Sequence, residues 1–204
     1  MSKKVALVAL GMLIMAAAGV IAGTRFLKKE KIYPAFTLQS HVTNILEDGR
    51  HIVDKTTTYG FSDGSWRTSL TDKEGSGTEY FFKAGKGFFV VNHKNKVLKQ
   101  NTPASQVASP SPAPTLTAEE LRSSPQFVKT EKILGLTAYL IRIKDEQTGL
   151  RLSDAYYAIE LGNVPLKAVE YDYGKPMIIN EPVSIAFGEP DASLLKLPDY
   201  AIAH

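Results

Sequence analysis

From Tyr33 onward the sequence breaks into short runs in which apolar and polar side chains alternate, and most runs end on a cluster of Gly, Asn or Asp. Period-two alternation sends successive side chains to opposite faces of a strand, and glycine supplies the positive φ of a tight hairpin. The pattern therefore dictates neighbouring antiparallel strands rather than helices. The expected strands cover 35–46, 51–61, 65–70, 78–83, 87–92 and 96–100 in the first half, and 126–134, 136–144, 151–161, 165–173 and 181–187 in the second. Glu47-Asp48-Gly49, Ser62-Asp63-Gly64 and Glu74 to Gly77 are typical separators. In the second half Thr137, Tyr139, Ile141 and Ile143 set one face of a strand, Ala155, Tyr157, Ile159 and Leu161 alternate in the same way, and Val183, Ile185 and Phe187 form a third apolar row.

Residues 101–117 carry four prolines and almost no large apolar side chain, which excludes a central strand and predicts a Pro-rich loop. Just beyond it, Thr117 followed three residues later by Glu120 fits a capping box and predicts one short helix over 116–123, limited by Pro125. The sum is a mainly β chain of about ten or eleven strands with one or two short helices. A meandering sheet of that length usually curls, and its concave face then needs side chains, helices or a ligand to fill it. Residues 32–204 are accordingly expected to form a single domain.

The first two dozen residues are of another kind. Val5 to Gly23 are nineteen positions without a charged or strongly polar side chain, preceded by Lys3 and Lys4. As a helix they span roughly 28 Å, close to the thickness of a bilayer core. Residues 1–31 read as a membrane-targeting segment: an N-terminal transmembrane helix kept as a signal-anchor, or a signal peptide cut near Ala18 or Ala22. The body is placed in the cell envelope, anchored in the inner membrane with a periplasmic or extracytoplasmic domain, or exported after cleavage. The chain has no cysteine, which removes disulfides, thiolate nucleophiles and Cys-based metal sites. Its formal net charge of +3 is no argument for a nucleic-acid partner.

Three phrases carry a resemblance: KILGLTAYLIRI at 132–143, YYAIELGNVPLKAVEY at 156–171 and EPVSIAFGEPD at 181–191. They resemble the closing strands of bacterial outer-membrane lipoprotein-carrier-like (LolA/LolB-like) proteins. GSWRTSL at 64–70 and GTEYFFKAGKGFFVVN at 77–92 are similar to that family in strand rhythm. The resemblance implies an open, strongly curved antiparallel half-barrel with helices in its mouth, and the binding of acyl chains there. Related domains serve as sensors or lipid-binding modules.

No GxGxxG after a strand, GxxxxGK[ST], HExxH or G-x-S-x-G occurs, and His41, His51, His93 and His204 are scattered, so neither a catalytic residue, a metal site nor a cofactor is expected. Glu160 with Glu170, Asp172 or Glu181 is conceivable as a carboxylate pair, but no nucleophile accompanies it. The basic and aromatic interval from Tyr80 to Lys99 has the composition of a single-strand binder, yet alternation buries half of its rings. The function read from the sequence is non-enzymatic binding of a lipid, acyl chain or lipoprotein. The candidate ligand-lining residues are Trp66, Tyr80, Phe82, Thr137, Tyr139, Ile141, Tyr157 and Ile159. The alternative is a membrane-anchored protein-interaction or sensory domain with a packed core. The partners are thus a membrane, a lipid or acylated protein, or an envelope protein.

Overall fold

A computed structural model describes residues 33–71, 77–84, 86–101, 117–162 and 164–203. Twelve strands form one sheet: β1 (Phe36–Ile45), β2 (His51–Gly60), β3 (Trp66–Thr71), β4 (Thr78–Lys83), β5 (Gly87–Asn92), β6 (Val97–Asn101), β7 (Phe127–Ile133), β8 (Leu136–Lys144), β9 (Arg151–Ala158), β10 (Pro165–Asp172), β11 (Lys175–Phe187) and β12 (Ala201–Ala203). One α-helix, α1 (Ala118–Ser123), precedes β7, and two 3-10 turns lie at Ile159–Leu161 and Ala192–Leu195. The strand order is β12-β6-β5-β4-β3-β2-β1-β11-β10-β9-β8-β7. Two meandering arms, β1 to β6 and β7 to β11, therefore meet at one seam where β1 pairs β11.

This corrects the expected strongly curved antiparallel half-barrel of ten or eleven strands. The sheet has twelve strands, ends openly on β12 and β7, and is mixed, because β12 runs parallel to β6. The physical reason lies in the tail after β11. Instead of ending on the last hairpin, it crosses the first arm and lays Leu197 and Tyr200 on Phe81, Phe89, Val91 and Leu98 before adding its strand. The expected transmembrane helix also fails to find support: no helix among the described residues is long and apolar enough to cross a membrane. The 5–23 segment that motivated it lies outside the described residues, as does most of the 101–117 loop.

Register fixes the faces. Phe36 stands opposite Gly60, Gly60 opposite Trp66, Trp66 opposite Phe82 and Phe82 opposite Phe88, so one row runs from the seam across the first arm. Val42, Asn180, Ala168, Ala155 and Ile141 continue the same face across the second arm. Five of the pairings contain a register shift. At such a bulge one residue has no opposite number and the strand bends. The central cluster packs Phe36 and Leu38 of β1 with Ala138, Ala158, Leu161 and Leu166, all fully buried. The expected row of Val183, Ile185 and Phe187 does not form as one: Ile185 packs on this cluster, whereas Val183 and Phe187 are 49% and 54% exposed.

Candidate functional site

The expected ligand-lining residues occupy one face of the sheet but split into two clusters, one per arm. On the first arm Trp66 and Tyr80 close on Phe88, with ring centroids 5.9 and 6.4 Å away, and Phe82 packs beside them. On the second, Tyr139 pairs with Tyr157 and Ile141 with Ala155, and Ile159 packs against them from the 3-10 turn. Thr137, at the margin, accepts a 2.8 Å hydrogen bond from Lys132 Nζ. Between the clusters the face is mixed: Phe36 and Leu38 are buried on β1, while on β2 and β3 the Thr58 and Thr68 hydroxyls lie 3.0 Å apart.

Neither cluster is open. Leu121 of α1, itself buried, seats on Tyr139, Ile141, Ala155 and Tyr157. Its placement follows from the local sequence. Thr117 Oγ1 accepts from the Glu120 N–H at 3.1 Å while Glu120 Oε2 accepts from the Thr117 N–H at 2.6 Å, so the capping box fixes the helix start as the sequence predicts. Burial pushes the phenols of Tyr80 and Tyr157 up to about 12, which keeps both neutral.

The opposite face carries one charged clasp on each arm. On the first, Arg67 pairs with Glu79, which also receives the Ser69 hydroxyl at 3.3 Å and faces His93 Nε2 at 3.2 Å. Arg67 further donates to the Leu194 carbonyl of the tail at 3.2 Å. On the second, Arg142 holds Asp154 through two bonds of 2.7 and 2.9 Å, and the Tyr171 hydroxyl donates to the same carboxylate at 3.3 Å. Both contacts cross neighbouring strands; the Arg142–Asp154 contact is fork-shaped, whereas Arg67 reaches Glu79 through one terminal nitrogen and its Nε is buried without a hydrogen-bond partner. Where the β11 bulge leaves Val183 unpaired, a groove of about 230 Å³ opens, lined by Gln39, Ser40, His41, Lys55, Thr56, Thr57 and Val183.

The imagined carboxylate pair does not assemble. Glu160 sits in the 3-10 turn and Glu181 accepts from Lys167 Nζ at 2.9 Å, while Glu170 is buried on the aromatic face of the sheet. Burial pushes the Glu170 carboxyl up to about 7. Sequence reading missed what surrounds it. Ser153 stands opposite Glu170, Asn180 lies diagonally from it across β11, and all three carry a buried oxygen without a hydrogen-bond partner. The signal was present as polar residues at inward positions of otherwise apolar strands, and register was needed to read it. Among the described residues no three His, Asp or Glu side chains converge to hold a metal, and no catalytic constellation is present.

No family model matches the sequence, and no curated protein matches it. Solved structures do. A conserved protein of Thermus thermophilus superposes at TM-score 0.52 with 12% identity, over 82% of this chain and 89% of its own. The likeness is one of fold. A chain of the Pseudomonas aeruginosa MucA/MucB complex superposes at TM-score 0.50 with 15% identity, over 93% of this chain and 61% of its own. The protein thus spans about three fifths of that neighbour's length. A LolA superfamily protein of Nitrosomonas europaea aligns over 91% of this chain at TM-score 0.37, too loose a superposition to build on.

Proposed function

We propose that the chain is a non-enzymatic interaction module of the cell envelope that binds a protein partner. The observation that carries this reading is the closure of the face on which a ligand was expected. Leu121 covers Tyr139, Ile141 and Tyr157, and the rings of Trp66, Tyr80 and Phe88 cover one another. Side chains that have already left water by packing on each other offer no further apolar area to a lipid or acyl chain. That a fold neighbour was solved in a MucA/MucB complex supports a protein partner for this fold. The envelope placement rests on the apolar 5–23 segment read as a targeting signal.

The β7 edge of the sheet does not invite strand addition. β7 ends its sheet with Lys129, Glu131 and Lys132 and a bulge near its start, devices that discourage pairing with another chain. A partner fits better at the seam, where Val183 stands half exposed in the groove and Phe187 half exposed farther along β11. The test joins two measurements on the full chain. Native mass spectrometry with organic extraction is expected to show no stoichiometric lipid. A photoreactive amino acid at Val183 or Phe187 is expected to trap one discrete protein in cells, whereas the same probe at Glu146 traps none. A lipid adduct lost when Tyr139 and Ile141 are made charged would return the carrier reading.

A further inference from the structure

We propose that Ser153, Glu170 and Asn180 form a recognition site for a primary ammonium group carried on an aliphatic stem. The three residues lie on adjacent strands β9, β10 and β11 and share one face. Ser153 is directly opposite Glu170. Asn180 is opposite Ala168 and so is the diagonal neighbour of Glu170, at a spacing of about 7–8 Å that long side chains bridge. Four buried side-chain polar atoms have no partner among the described residues, and three of them are here: Ser153 Oγ, Glu170 Oε2 and Asn180 Oδ1. Folded proteins retain few such atoms, so three together on one face is an arrangement that a ligand would complete.

The chemistry of the three oxygens selects the ligand. Each can accept a hydrogen bond, one belongs to a carboxyl, and an ammonium offers three donors and no acceptor. An anion is repelled, and a guanidinium brings five donors in a plane to three acceptors. The chain supplies no cation of its own in these rows. Glu170 is flanked by Ile143, Ser153 and Ile178, and the neighbouring row holds Ile141, Ala155 and Val42. Of these, Ile141 and Ala155 already lie under Leu121, so it is the partly buried Ile143 and Val42 that suit a methylene stem. The site is separate from the seam and does not depend on the partner reading. The ammonium could be that of a free alkylamine or of a lysine side chain in a peptide.

The full chain is titrated calorimetrically at pH 8 with n-pentylamine, with n-pentanol as the uncharged counterpart, and with a lysine-bearing pentapeptide against its norleucine analogue. Pentylamine is expected to bind at least tenfold more tightly than pentanol, and Glu170→Gln to erase that preference. A peptide affinity more than tenfold above that of pentylamine assigns the ammonium to a lysine, and the reverse assigns it to a free amine. Independently, the Glu170 carboxyl carbon resonance of the unaltered protein is followed against pH, and saturating amine is expected to move its midpoint downward. Equal binding of amine and alcohol, no binding of either, or an unmoved midpoint overturns the proposal, since bridging water would then satisfy the oxygens. The carboxyl titration decides even if Glu170→Gln fails to fold.

Discussion

Phe36 is buried to within 1% of its surface, and its ring lies over Gly60, where an added Cβ would stand 2.5 Å from Cε1 and 2.9 Å from Cδ1. Packed as it is against the central cluster, the ring has nowhere to go, so Gly60→Ala should cost about 1–3 kcal/mol by overpacking. Urea titration of Gly60→Ala, Phe36→Leu and the double variant checks the mechanism. The double variant should lose less than the two single losses together, and strict additivity would refute a direct clash. Glu170 calls for a different measurement. Its native value of about 7 lies above the ordinary 4.5, so the folded state holds the proton more tightly. The stabilisation this gives is full below pH 4.5 and drains away as pH rises through 7, by about 3 kcal/mol. Glu170→Gln cannot titrate, so the stability difference between wild type and variant should change by that order between pH 4.5 and 8. Parallel pH profiles would show that the carboxyl is not shifted. In the sequence Gly60 did not stand out, and Glu170 did so only as half of a carboxylate pair that does not assemble. Alternation says that a side chain faces inward, but what it meets there depends on register. Bulges defeat alternation outright: Val128, Leu152 and Val183, three of the exposed large hydrophobics, are residues that the strand pairing skips.

The six residues of α1 are too few to be stable alone. Two things hold the helix in place, the Thr117–Glu120 capping box and the burial of Leu121 to within 4% of its surface. Thr117→Ala should cost about 1 kcal/mol through the lost cap. Leu121→Ala should cost about 2–5 kcal/mol, because it opens a cavity over two tyrosines and an isoleucine. Thermal unfolding of the two variants ranks them, and a Leu121→Ala loss no larger than that of Thr117→Ala would mean that α1 does not seal this face. The helix was legible because a capping box is a local pattern of four residues. Strand β11 was only half legible. The alternation predicts it from Glu181, whereas it begins at Lys175. Pro176 and Pro182 hide its first half, since proline lacks the N–H that a ladder needs. Both prolines sit at register breaks, opposite Tyr171 and Ser40, where the ladder is already interrupted. The short β12 escaped because three residues carry no period, and its partner β6 is about a hundred residues away.

The two arms join where β1 pairs β11 and where Phe36 and Leu38 pack in the central cluster, and the tail beyond β11 packs on the first arm. There Leu197 and Tyr200 bury apolar area, Arg67 donates to the Leu194 carbonyl, and the Tyr200 hydroxyl lies 3.1 Å from His93 Nδ1. Burial of each large side chain is worth roughly 1.5–3 kcal/mol, so the tail supplies a substantial fraction of the stability of a domain this size. All of it acts on strands β3 to β6. Truncating the chain after Gly188 should therefore not loosen the molecule evenly. Amide hydrogen exchange should accelerate in β4, β5 and β6, which lose their cover and their neighbouring strand. It should stay close to the full-length rate in β8, β9 and β10, whose packing involves α1 and the central cluster instead. Uniform acceleration in both arms would show that the sheet opens as one cooperative unit, with the seam rigid enough to transmit the loss from β6 to β8. Confinement to the first arm would show that β1 and β11 act as a boundary between two halves that can open separately. A partner seated at the seam would then bear on both halves at once.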